Sequence, residues 1–170
     1  MKGQEQSLGR EEIGALVESY YDDVLSYCRR HTCTMQDAQD ATQETFLRFV
    51  RTFANYSDRG KPLAYLITIA RNVCIDVRRS CGPSCEPLDI DIADSSDEAS
   101  AIDLGLLIQQ LPADLREAIE LRYDQGLRVK EVALVLGVSR FSAMRTIDRA
   151  LKVLRNGLRP DESKEEVEKL

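Results

Sequence analysis

An all-α fold of two small helical domains joined by a flexible acidic linker is predicted by three features of the chain. Apolar residues recur at i, i+3, i+4 and i+7 through both halves, the signature of helices with one buried face. The only period-two alternation, Leu88–Ala93, is interrupted by acids and follows Pro87, which suits an extended linker better than a strand. Aromatics make up 6% of the chain and Trp is absent, so cores of Leu, Ile, Val and Ala fit better than a β-sandwich. With 170 residues, 43% hydrophobic, the chain has room for one ordinary domain or two small ones and too much apolar content for wholesale disorder.

The elements follow in order. Ile13, Leu16, Val17, Tyr20, Val24 and Cys28 share one face of a first helix. Ala38, Ala41, Thr42, Thr45, Phe46, Phe49 and Phe53 do so for a second, which ends in the turn-rich stretch Asn55–Gly60. Pro62 suits the first turn of a third helix with Leu63, Leu66, Ile67, Ala70, Val73, Cys74 and Val77 inward, running out near Arg79. The following stretch is rich in Pro, Gly, Ser and acids and reads as a solvated linker. Beyond it Leu104, Leu107, Ile108 and Leu111 mark a short helix, and Pro112 opens another with Leu115, Ala118, Ile119 and either Arg122 or Tyr123 along its face. Gly126 ends that helix; Val129, Val132, Ala133 and Leu136 form a very short one, and Ser139 caps a long last helix with Ala143, Ile147, Ala150, Leu151 and Leu154 inward. The expected divisions are a domain over 10–79, a linker over 80–103, a domain over 104–158 and an acidic tail over 159–170.

Charge is segregated. The formal net charge of -6 argues against a protein that coats nucleic acid non-specifically. Yet residues 86–103 hold seven acids and no base, whereas 111–159 hold ten bases and six acids. A basic module flanked by acidic segments binds DNA through its local charge.

The most informative motif is Val132-Ala-x-x-Leu-Gly-Val-Ser139 followed by the last helix, a helix-turn-helix pattern. A small residue at Ala133 lets two helices cross closely, Gly137 takes a positive φ at the turn, Val138 is expected to plug the space between the helices, and Ser139 caps the second. Outward positions of that helix are Arg140, Phe141, Met144, Arg145, Asp148, Arg149 and Lys152. Arginine pairs with guanine or phosphate, and an apolar side chain touches a thymine methyl.

The chain resembles the extracytoplasmic-function (group IV) sigma factors of the sigma-70 family. Asp37–Phe49, DAQDATQETFLRF, is similar to that family's core-polymerase-binding helix (region 2.2), often written DAEDLVQETFLR; Pro62–Arg79 resembles its promoter-melting segment, and Leu111–Leu154 its region 4. The resemblance covers roughly residues 10–79 and 104–158, in the family's order. It implies a sigma region 2 bundle and a region 4 helix-turn-helix that together direct promoter-specific initiation. The implied partners are core RNA polymerase, through its β′ clamp helices and β flap, promoter DNA, and an anti-sigma factor that is often membrane-anchored. Asp40, Gln43 and Glu44 would meet the clamp helices; Asn55, Tyr56, Lys61, Tyr65, Arg71, Asn72, Arg78 and Arg79 would meet the −10 element; Ser139, Arg140, Phe141, Ser142, Met144, Arg145 and Arg149 would meet the −35 element. Tyr65 stands where the family commonly has Trp. The last helix departs further: Ser139–Thr146 reads SRFSAMRT where many members read SEGTVKSR, which puts the usual −35 preference, but not the fold, in question.

Catalytic chemistry is not expected. The chain has one His, no phosphate loop of the GxxxxGK[ST] type and no GxSxG elbow. Neither cofactor, metal nor small-molecule substrate is expected. Cys28, His31, Cys33, Cys81 and Cys85 are spaced loosely for a zinc site, and Cys28 and Cys74 fall on apolar faces as core fillers. His31 suits a helix end, where it would cap carbonyls. The polar start Met1–Arg10 and the lack of an apolar run near the roughly 20 residues needed to span a bilayer predict a cytoplasmic chain with reduced thiols and no membrane insertion. Two other readings draw on the same residues: an autonomous helix-turn-helix regulator, and a thiol- or zinc-responsive sensor.

Overall fold

A computed structural model describes residues 10–52, 61–82 and 98–158. They fall into two compact units, one within Met1–Ile90 and one within Asp91–Leu170. Regular structure among the described residues is entirely helical. None of these helices is long and apolar enough to cross a membrane.

The first unit is built from α1 (Arg10–His31), α2 (Met35–Thr52) and α3 (Pro62–Cys81), each packed on the other two. The stripe expected on α2 is the stripe that is buried: Ala38, Ala41, Thr42, Thr45, Phe46 and Phe49. On α3 the buried set is Ala64, Leu66, Ile67, Ala70, Val73 and Cys74, with Leu63 and Val77 at the rim. Threonine inside a helix would bury a hydroxyl, so each buried one is satisfied by its own chain. Thr32, Thr42 and Thr45 donate to the carbonyls of Cys28, Ala38 and Ala41 at 2.7–2.8 Å. Thr34 opens α2, accepting from the Asp37 N–H at 3.0 Å and donating to the Asp37 carboxylate at 2.7 Å. Pro62 stands at the start of α3 as expected.

The periodic reading of α1 omitted its largest buried side chain. Tyr27 is buried beside Cys28, and His31 one turn on lies against its ring, centroids 4.2 Å apart. The imidazole at the end of α1 stacks on this ring at an interplanar angle of 28°. Cys28 and Cys74 are buried free thiols, as their apolar faces suggest. A hydrogen bond from Cys74 lowers the Cys28 pKa below the usual thiol value; burial opposes this, and Thr42 adds to the lowering. Phe53 lies outside the described residues.

In the second unit α4 (Glu98–Gln110), α5 (Ala113–Ile119) and α6 (Val129–Leu136) pack against α7 (Arg140–Gly157). Helix α4 starts at Glu98, inside the stretch read as linker, because Ala99 and Ala101 favour helix despite the acids around them. The α4–α5 corner is closed by Arg116, whose guanidinium donates to the terminal carbonyls of Gln109 and Leu111. Leu107 fits over Gly157, where a Cβ would come within 2.7 Å of its Cδ2.

Helix α5 runs on into a π-helical turn, Glu120–Asp124, that simple periodicity did not anticipate. The wider turn shifts the register, so Leu121 is fully buried while Tyr123 is 56% exposed. Neither of the two candidates for that face sits in the core. Arg122 is half-buried, donates to the Leu127 carbonyl at 3.2 Å and places its guanidinium 5.5 Å from the Tyr123 ring centroid.

Phe49 is fully buried and its ring centroid lies 6.0 Å from that of Tyr65, so it locks α2 to α3. Phe49→Ala is expected to lower the unfolding free energy by about 3–5 kcal/mol, read by urea titration of the first unit's transition.

Candidate nucleic-acid interface

The helix-turn-helix begins with α6. Glu131 accepts from the Arg128 N–H at 2.8 Å, one half of a capping box, since an arginine side chain has no acceptor to return the bond. At the other end Gly137 adopts φ 67 and ψ 31. The Gly137 N–H donates to Leu134 and the Val138 N–H to Ala133, at 3.2 and 3.0 Å, the paired bonds of a Schellman turn. The next residue, Ser139, accepts from the Ser142 N–H at 3.1 Å and starts α7. Stop and start signals are therefore adjacent, which fixes the crossing of α6 and α7.

Ala133 is buried at that crossing, as its size predicts. Val138 is not the expected plug. It is 42% exposed, because the left-handed turn before it carries the side chain outward and uses its N–H for the turn. Helix α7 buries Ala143, Ile147, Ala150 and Leu154 and half-buries Leu151. Arg140, Phe141, Met144, Arg145, Asp148, Arg149 and Lys152 are exposed, while Ser142 is partly covered. Phe141 is 73% exposed, an unusual cost for a phenyl ring that little among the described residues covers. Arginines flanking apolar groups on a capped helix form a surface that can enter a major groove.

On the first unit, Asp40 and Gln43 are exposed on the side of α2 away from its buried stripe. The Gln36 amide donates to Asp40 at 3.0 Å. Glu44 is half-buried and bound to Arg48 Nε at 2.7 Å, and Arg48 reaches on to Asp76 of α3 at 3.8 Å. Leu47 and Val50 are exposed on the same helix, apolar surface that the sequence reading did not single out.

Lys61 precedes α3, and Tyr65 in its first turn rests against Phe49 and donates to Thr52 Oγ1 at 3.2 Å. Tyr65 is therefore already held at the α2–α3 junction, with part of its ring open. Arg71 is half-covered; Asn72, Arg78 and Arg79 are exposed, the last two in the final turn of α3. Asn55 and Tyr56 lie outside the described residues.

Comparison with known proteins gives this arrangement its family. The Sigma-70 region 2 model matches residues 16–82, and the Sigma-70 region 4 model matches residues 101–154. The extracytoplasmic-function RNA polymerase sigma factor SigL of Mycobacterium tuberculosis is 30% identical over 155 residues, covering 83% of this chain and 88% of SigL. The chain belongs to the sigma-70 family. A second relative is the extracytoplasmic-function factor BldN of Streptomyces coelicolor, 32% identical over 167 residues; the match covers 91% of this chain and 62% of BldN. Two solved structures share the fold. CnrH, in complex with the cytosolic domain of CnrY, gives a TM-score of 0.64 at 23% identity, over 90% of this chain and 91% of that one. RpoE, in complex with the anti-sigma factor NepR from Bartonella quintana, gives 0.68 at 18% identity, over 87% and 97%.

The turn's chemistry makes two linked predictions. Gly137→Ala meets nothing within 4 Å, so its cost of about 1 kcal/mol comes from the left-handed backbone alone, and Gly137→Asn costs less. Ser139→Ala removes the α7 cap and costs about 1 kcal/mol. Thermal unfolding of the three variants checks both values.

Proposed function

We propose that this member of the sigma-70 family is an alternative sigma factor that binds core RNA polymerase and directs initiation at promoters through their −10 and −35 elements. The observation that carries the reading is the succession, in one chain, of a region 2 match and a region 4 match in separate compact units. A helix-turn-helix alone would support only DNA binding. The assignments are residues 10–79 as the region 2 domain, 80–103 as the connecting segment, 104–158 as the region 4 domain and 159–170 as an acidic tail.

In this account Asp40, Gln43 and Glu44 meet the β′ clamp helices, with exposed Leu47 and Val50 adding apolar area beside them. Region 4 meets the β flap. Asn55, Tyr56, Lys61, Tyr65, Arg71, Asn72, Arg78 and Arg79 serve the −10 element. Unstacking a base costs a few kcal/mol, which aromatic stacking and phosphate contacts offset. Ser139, Arg140, Phe141, Ser142, Met144, Arg145 and Arg149 serve the −35 element. Phe141 replaces a residue with no side chain, so it reads shape and thymine methyls where the common family pattern has open space. Nucleotidyl transfer belongs to the polymerase, and the chain supplies specificity without being an enzyme. Its place is the cytoplasm, where polymerase and promoters are. An anti-sigma partner follows by analogy with RpoE, found in complex with the anti-sigma factor NepR.

Run-off transcription with purified core polymerase tests the reading: the chain should confer initiation at its own promoter, and a failure to do so rejects it. Gln43→Arg is exposed and free of the Glu44–Arg48 pair, so it should weaken core binding about tenfold, about 1.4 kcal/mol, without altering the melting temperature. Selection of bound promoters should return a −35 preference distinct from that of common family members, and Phe141→Gly should relax it. An ordinary family −35 consensus that is insensitive to Phe141→Gly removes the specificity claim.

A further inference from the structure

Three donor groups that the transcription reading leaves unused meet at one end of the first unit. Cys33 lies in the corner between α1 and α2, Asp37 in the first turn of α2, and Cys81 in the last turn of α3. The Cys33 and Cys81 sulfurs and an Asp37 carboxylate oxygen all lie within 4.8 Å of one another. The loose spacing of Cys33 and Cys81 in the chain spoke against a site, and Asp37 was not among the candidates; the three meet only through packing of α3 on α1 and α2.

We propose that these three residues form a zinc site in the reduced protein. Zinc–sulfur bonds of about 2.3 Å and zinc–oxygen bonds of about 2.0–2.2 Å set tetrahedral donors about 3.5–3.8 Å apart. Small rotations of Cys33 and of Cys81, an exposed residue at a helix end, close that gap. The Asp37 carboxylate is already held: the Thr34 hydroxyl donates to its Oδ2 at 2.7 Å. Such an outer hydrogen bond is how ligating carboxylates are usually held.

Cys81 is a free thiol, whereas Cys33 is disulfide-bonded. In a reducing compartment, clustered cysteines serve metal binding more often than structural disulfides. A thiol reductant supplies the two electrons and two protons that open the bond; the reductant leaves as its own disulfide, and two protein thiols result. Zinc then displaces the thiol protons of Cys33 and Cys81, and a water takes the fourth position. The metal would tie the α1–α2 corner to the end of α3, the point where the chain leaves the region 2 unit. The reducing setting rests on the proposed cytoplasmic role; the test below uses chemically reduced protein and needs no polymerase, so either can fail alone.

The full-length chain, reduced and stripped of metal, is titrated with zinc against a chromogenic chelator. One zinc per chain is expected, lost in Cys33→Ser and Cys81→Ser and held at least tenfold more weakly in Asp37→Asn. Because a substitution can also unfold the unit, the wild-type chain is alkylated with and without zinc and mapped by mass spectrometry. Zinc should protect Cys33 and Cys81, and cobalt in its place should give a sulfur-to-metal charge-transfer band. Absence of zinc binding, equal alkylation of both residues with and without zinc, or zinc kept by the two serine variants overturns the site.

Discussion

A helix with 3.6 residues per turn cannot bury one stripe without presenting the opposite one, and both candidate surfaces of this chain are produced by that constraint. On α2 the buried run from Ala38 to Phe49 forces Asp40 and Gln43 outward and leaves Leu47 and Val50 exposed. On α7 the buried Ala143, Ile147, Ala150 and Leu154 force Arg140, Phe141, Arg145 and Arg149 outward. The packing core and the candidate binding face are therefore one pattern read from two sides. A core substitution that rotates either helix alters recognition without touching a contacting residue.

The same constraint explains what the sequence disclosed. The α2 and α7 stripes, the Pro62 start and the Ser139 cap are local, set by residues within a turn or two of one another, and each was legible. The π-helical turn was not, because an extra residue per turn leaves the hydrophobic pattern Leu115, Ala118, Ile119 intact up to the point where it slips; the bond from the Gln125 N–H to the Glu120 carbonyl and the burial of Leu121 reveal it. Val138 looked like a plug because it is apolar and sits between two helices, but the left-handed Gly137 decides where it points. Tyr27 and His31 stand four residues apart, so helical spacing permits their ring contact, but the face read through Val24 and Cys28 passed over them. The meeting of Cys33, Asp37 and Cys81 is the extreme case, since nothing short of tertiary structure brings them together.

Charge bears on how the two units are used. The chain as a whole is acidic, and the bases of the second unit are concentrated along α7. Phosphate contacts of this modest number support binding that is salt-sensitive and weak for a free chain. Tethering to polymerase raises the effective concentration of such a surface near its DNA, so weak elements act together. Acidic character then opposes stray DNA binding and leaves specificity to the assembled complex.

The central claim is that two units of one chain read two promoter elements only when polymerase holds them. Hydroxyl-radical footprinting, with permanganate probing of unpaired thymines, tests it on one promoter with chain alone, core alone and both. The account predicts protection at the −35 and −10 elements and reactive thymines near −10 only for the combination. Tight, polymerase-independent protection by the chain alone, or a combined footprint confined to one element without melting, would contradict it.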